Sequence, residues 1–141
     1  MKIEMQIVNM EFTIKRQFEA DFEDVVAAVE DALADEGFGI LTEADMQAVF
    51  AEDVDPDFPR YRILGACNAP LANEALEAEM AMGALLPCNV VVYEDEPTGV
   101  TVEAIHPDAV LGMADVPALD DVAAEASERI GTAVESVDDY L

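Results

Sequence analysis

The sequence predicts a single α+β domain, with a mostly antiparallel sheet and helices packed on one of its faces. Three observations predict it. Period-two and near-continuous apolar segments recur along the chain, at residues 10–15, 60–67, 89–94 and 100–104. Two long stretches instead carry apolar residues at helical spacing, with acids on the opposite side. Several strands follow one another between those helices, giving the order strand, helix, several strands, helix rather than strict alternation.

Residues 1–18 read as extended. Met10, Phe12 and Ile14 alternate with Glu11, Thr13 and Lys15, the pattern of a half-buried strand. Residues 1–10 read as an N-terminal extension of the same extended character, and residues 11–141 as the domain. Asp21 opens a helix, with Glu23 and Asp24 in its first turn. Phe22, Val25, Val26, Val29 and Leu33 line one face of it, and Gly37 stops it. A short strand over 37–42 and a short helix over 43–52 follow. Residues 53–59 (DVDPDFP) are a turn-rich connector.

In the next strand, 60–67, Arg60, Arg62 and Leu64 point one way and Tyr61, Ile63, Gly65 and Cys67 the other. If Tyr61 and Ile63 face the core, Cys67 does too. Pro70 starts a helix that Leu71, Ala75, Leu76 and Met80 continue. Asn89 to Glu94 reads as a central strand, 95–99 (DEPTG) as a hairpin-like turn, and Val100, Val102 and Ala104 as its partner strand with one wet face. His106-Pro107 ends that strand, and Pro107 to Asp115 is a loop or short turn. A long helix from about Pro117 closes the chain, with a stripe of Leu119, Val122, Ala123, Ala126, Ile130, Ala133, Val134 and Val137.

The charge is extreme. Six Lys and Arg face 32 Asp and Glu, a net of −26, and the acids are dispersed along the chain. Such a coat repels itself in dilute buffer, whereas in molar salt the Debye length falls to ~3 Å and the repulsion fades. The pattern predicts a cytoplasmic protein of an extreme halophile. It argues against a nucleic-acid partner, which needs clustered Lys or Arg. No apolar run approaches the ~20 residues that span a bilayer, and the start lacks the apolar core of a signal peptide, so a soluble intracellular protein with no membrane partner is expected.

One phrase occurs twice: Gly65-Ala66-Cys67-Asn68 and Leu86-Pro87-Cys88-Asn89 hold the only two cysteines, each followed by asparagine. Together with Gly37-Phe38-Gly39-Ile40-Leu41-Thr42-Glu43 and the strands around each Cys-Asn pair, these blocks closely resemble the bacterial and archaeal family called domain of unknown function 302. The resemblance covers roughly residues 11 to 141. It implies a small intracellular α+β domain of β-α-β-β-β-β-α type, often paired as a homodimer, and carries no established activity. Set against the family pattern, the chain has an extra N-terminal segment, and His106 stands where an acidic or polar residue is expected before the proline.

The candidate ligand-binding residues are Cys67, Asn68, Cys88, Asn89 and His106. Two thiols can bind a metal, form a reversible disulfide or take up sulfur, and a thiolate needs a nearby positive charge or helix N-terminus. Cys67 lies just before the Pro70 helix; Cys88 has no such neighbour in sequence. The alternative is that both are small apolar core residues. His106 is a candidate third metal ligand beside Cys67 and Cys88, although one histidine leaves a tetrahedral site short within one chain. Asn68 is expected to cap the helix that follows, while for Asn89 ligand binding and turn capping stand level. Arg60 and Arg62 form a weak candidate anion clamp, with pairing to nearby acids preferred.

The leading functional expectation is a dimeric small-molecule binding or sensing domain with its pocket near the two Cys-Asn motifs. The alternatives are a thiol-dependent redox, sulfur-carrier or metal-binding protein using Cys67 and Cys88, and a structural homodimerisation module. No catalytic residue and no cofactor is named by the sequence.

Overall fold

The computed structural model describes residues 12–95 and 99–141. The expected extension at 1–10, the first residue of the domain, and most of the turn at 95–99 lie outside the described residues.

Five strands form one sheet in the order β1-β5-β4-β3-β2, with every neighbouring pair antiparallel. They are β1 (Thr13–Phe18), β2 (Gly39–Asp45), β3 (Tyr61–Cys67), β4 (Cys88–Asp95) and β5 (Gly99–Ile105). The principal helices are α1 (Phe22–Asp35), α3 (Ala69–Ala78) and α5 (Asp120–Glu135), joined by two short ones, α2 (Met46–Ala51) and α4 (Pro107–Leu111). The architecture is the α+β layer arrangement expected; α2 and α3 fall in the stretches expected to be helical, and α4 is additional.

Local chemistry explains the boundaries. The Asp21 carboxylate accepts from the Glu23 backbone N–H and caps α1. At the other end, Gly37 takes φ +85°, a left-handed conformation that L side chains avoid. The strand after it runs on to Asp45, three residues past expectation, because the Asp45 carboxylate accepts from Ala48 N–H and sets the start of α2 there rather than at residue 43. Glu79 turns extended and ends α3 at Ala78, so Met80 belongs to a separate 3₁₀ segment, Met80–Leu85. Residues 107–111, expected as a loop or turn, form α4 with Pro107 in its first turn.

The apolar stripes land where the spacing puts them. On α1, Phe22, Val25, Val26, Val29 and Leu33 are all buried, as are all eight stripe residues from Leu119 to Val137. They meet a sheet layer of Leu64, Val90, Val92, Val102 and Ala104. That layer corrects the parity of β3. Leu64 and Ala66 face the helices, so Tyr61 and Ile63 face away from the core. Arg62 shares the helix side because its guanidinium has partners there: Glu23 on α1 at 2.9 Å, Glu43 at 3.0 Å, and the Phe22 ring beneath it. Arg60 stands at the edge, 4.0 Å from Glu94.

The core divides into two apolar clusters. The larger joins the sheet to α1 and the second half of α5. The smaller joins α3, the 3₁₀ segment, α4 and the first half of α5, through Leu71, Ala75, Met82, Leu111 and Val122. On the opposite face of the sheet no long helix packs among the described residues. Only α2 and the following loop reach it, where Phe50, Phe58, Tyr61 and Tyr93 stack in sequence.

Leu64 is fully buried on the helix side. Leu64→Ala is expected to lower unfolding stability by ~2–5 kcal/mol, read from chemical denaturation, with the secondary structure retained. A loss below ~1 kcal/mol would mean that this layer is not the core.

Candidate functional site

The two Cys-Asn phrases are not equivalent in space. Ala66, not Cys67, stands opposite Cys88 in the β3–β4 ladder. Cys88 opens β4 on the helix side and is buried; Cys67 closes β3 and is half-buried. Even so, both cysteines line one cavity of about 30 Å³. Its walls come from both apolar clusters: Phe38, Ala66 and Cys88 from the larger, Leu71, Ala75, Leu111, Val122 and Ala126 from the smaller. The cavity is therefore the seam between the two.

Asn68 completes the wall and is itself committed. Its side-chain oxygen accepts from Leu71 N–H at 3.2 Å, capping α3, and its amide nitrogen donates to the Glu36 carbonyl at 3.5 Å. Arg129 on α5 donates to the same carbonyl at 3.2 Å. The end of α1, the start of α3 and the middle of α5 are thus tied at one oxygen. Both lone pairs of a helix-end carbonyl that α1 leaves unpaired are used.

Gly65 adjoins this site from the outer face. A Cβ there would overlap Thr42 Oγ1 and sit 2.8 Å from Pro87 Cγ. Glycine lets the chain ahead of Cys88 lie flat on β3. The Leu86–Pro87 peptide bond there is cis.

Asn89 points the other way. It is exposed on the far face of the sheet, in a shallow groove with Phe12, Thr13, Tyr61, Val91, Glu103 and Ile105. His106 joins neither site. It precedes α4 without capping it through its side chain, and its backbone N–H donates to Phe12 at 2.7 Å. Its Nδ1 is buried without a hydrogen-bond partner among the described residues. The cavity thus gathers Cys67, Asn68 and Cys88 and leaves out Asn89 and His106. Arg60 and Arg62 hold carboxylates of this chain, the alternative favoured over an anion clamp. Among the described residues no three His, Cys, Asp or Glu side chains cluster as a metal site.

Sequence reasoning missed the opposite wall. Leu71, Ala75, Val122 and Ala126 are ordinary stripe residues, and only the crossing of α3 over α5 makes them a surface. It also missed a polar cluster on the far face, where Thr13 donates to Glu103 at 3.0 Å and Tyr93 donates to the same carboxylate. The signal was present in the alternation of Thr and Glu with Val along β5.

Burial decides the state of the inner thiol. Desolvation, with Cys67 close by, pushes Cys88 up to about 11. At neutral pH it is a neutral thiol and a poor nucleophile.

The family model for Domain of unknown function DUF302 matches residues 13–137. The chain belongs to the DUF302 family. Among solved structures it is similar to an uncharacterized conserved DUF302 protein from Bacillus stearothermophilus, with 26% identity and a TM-score of 0.81. That match covers 88% of this chain and 96% of the other. No curated protein matches it. The DUF302 assignment fixes the fold and assigns no reaction. No helix among the described residues is long and apolar enough to cross a membrane.

Two outcomes test this geometry. Asn68→Ala removes the α3 cap and one donor to Glu36, and is expected to cost ~1–2 kcal/mol in denaturation; Asn68→Asp, which keeps the cap acceptor, should lose less. A cost near zero for Asn68→Ala would mean the cap is idle. The second concerns pH. Cys88 has a higher pKa folded than unfolded, so the folded state holds its proton longer. Stability is then expected to fall as pH rises from about 9 towards 11. Subtracting the same curve for Cys88→Ala isolates that loss, and coincident slopes would contradict it.

Proposed function

We propose that this DUF302 protein is a small-molecule binding or sensing domain, working as a homodimer, whose ligand enters the seam between its two apolar clusters. One observation carries the reading. An apolar cleft of about 30 Å³, open in part to solvent, coincides with both cysteines and Asn68, and apolar clefts with a few fixed polar groups are where small molecules bind. It has room for about two water-sized groups. Its walls are almost wholly apolar, and Asn68 already spends its polar atoms on Leu71 and Glu36. A buried water would find few partners there, whereas a small apolar molecule or thioether loses nothing by leaving water. Several lining residues are alanines, Ala66, Ala72, Ala75 and Ala126, which keep the space open.

The second reading, a thiol-dependent redox, sulfur-carrier or metal-binding protein, has one observation in its favour: both cysteines line the same space. Against it, burial keeps the Cys88 thiol protonated well above neutrality, which disfavours nucleophilic attack, and no third His, Cys, Asp or Glu joins the two cysteines among the described residues. The dispersed acids support a salt-rich cytoplasmic setting for the same protein.

The experiment is a methyl NMR titration with dissolved xenon, an apolar atom that needs no hydrogen bonds. The Leu71, Leu111 and Val122 methyls are expected to shift saturably in the wild type. In Ala75→Leu, which fills the seam, the shifts should vanish while the protein stays folded. Uniform, non-saturating shifts in the wild type would end the binding reading.

A further inference from the structure

We propose that the far face of the sheet, away from α1 and α5, is the surface on which a second copy of this chain docks. The inference deepens the homodimer reading above by naming the face, and it rests on that reading.

The first argument is charge. The chain carries 32 acids against six bases. Yet the residues that alternate onto this face across all five strands include only two acids, Glu103 and Asp95, and one base, Lys15. A nearly neutral patch on so acidic a molecule is the place where two like-charged copies meet with least repulsion. Depletion of charge is also what marks the centre of protein interfaces.

The second argument is the arrangement of what remains. β4 is the central strand, and Val91 lies midway along it, opposite Ile63 on one side and Glu103 on the other. Tyr61 and Tyr93 stack beside them, ring centroids 5.2 Å apart. Ile63, Val91 and both tyrosines are only half-buried. Aromatic and aliphatic side chains surround a centre that one chain leaves open to water among its described residues.

The third is that the one central acid is prepared for burial. A buried carboxylate is costly unless its oxygens are hydrogen-bonded. Glu103 already accepts from Thr13 and Tyr93, and Lys15 stands directly across from it on β1. Tyr93 is correspondingly held protonated, by desolvation first and then by that bond.

The area is of the right order. Five strands at ~4.8 Å spacing and six residues at ~3.4 Å give a whole-sheet footprint of roughly 500 Å² before side-chain relief is counted; the loop after α2 takes up the Tyr61 corner through Phe58, and the rest fits an interface smaller than the standard ~800 Å² per partner. Two copies related by a two-fold axis would pack sheet on sheet, each presenting the same patch to the other.

The test is the mass in solution by analytical ultracentrifugation, in molar KCl. Wild type is expected at the mass of two chains. Val91→Glu and Ile63→Lys, each with an unchanged circular dichroism spectrum, are expected at the mass of one. Met113→Glu, exposed and outside the sheet in the turn after α4, should stay at two. A soluble paramagnetic probe on the wild-type Val91 and Ile63 methyls gives a readout that needs no folded variant, and both should be protected. A wild type at one-chain mass overturns the proposal, whether its methyls are accessible or are covered by something other than a second copy. So does a two-chain mass in both folded variants. The xenon shifts do not depend on association, so failure here and failure of the cavity reading are separable.

Discussion

A dry layer on one side of the sheet governs the rest of the molecule. Leu64, Val90, Val92, Val102 and Ala104 show essentially no exposed surface, and Val25, Val29 and Leu33 of α1 close over them with Ile130 and Val134 of α5. Antiparallel strands pleat, so committing alternate residues to this layer commits the rest to the other face. The register that buries Leu64 also turns Tyr61 and Ile63 outward. It sets Ala66 across from Cys88 and carries Asn89 away from the cavity. Positions that look alike in sequence acquire different surroundings from this single phase choice.

The layer does not extend under every helix. α3 and α4 pack on the first half of α5 and form an apolar cluster of their own. Two clusters with different partners leave a seam, and it opens where the side chains are shortest. What holds the seam in place is polar. The Glu36 carbonyl receives Asn68 and Arg129, and Arg16 on β1 donates to the Val134 and Glu135 carbonyls and to Asp138 at the far end of α5. Cations and amides at helix C-termini satisfy carbonyls the helices leave unpaired and complement their negative ends. Three of the few arginines in so acidic a chain, Arg16, Arg62 and Arg129, thus fasten helices to strands or to one another, and carboxylates steady each guanidinium.

Much of this was legible from residue spacing. The stripes of α1 and α5 were read correctly because helical periodicity over four turns is a strong signal and nothing in the tertiary structure opposes it. The cap at Asn68 was legible because Asn before Ala-Pro at a strand end has few other roles. β3 was harder. Its inward residues begin with Arg62, next in alternation after Arg60 at the strand's edge, so alternation alone pointed the apolar face towards Tyr61 and Ile63. Only Glu23 and Glu43, distant in sequence, make Arg62 an inward residue. His106 follows β5 directly and was expected to share the parity of Ala104, yet it lines neither the cysteine cavity nor the far-face groove. The cavity itself was half legible: its cysteine wall follows from a repeated phrase, while its α3–α5 wall depends on a helix crossing that no local pattern encodes.

The central claim is that the two thiols are walls of an apolar cavity rather than a reactive pair. It is tested most directly by counting metal and free thiols on protein purified anaerobically in molar KCl. The account predicts two free thiols per chain, no stoichiometric metal, and a Cys88 that reacts with a thiol reagent only as fast as the protein opens. Stoichiometric zinc, iron or copper that is lost in Cys67→Ser or Cys88→Ser would contradict it, as would a Cys88 that reacts at the rate of a free thiolate.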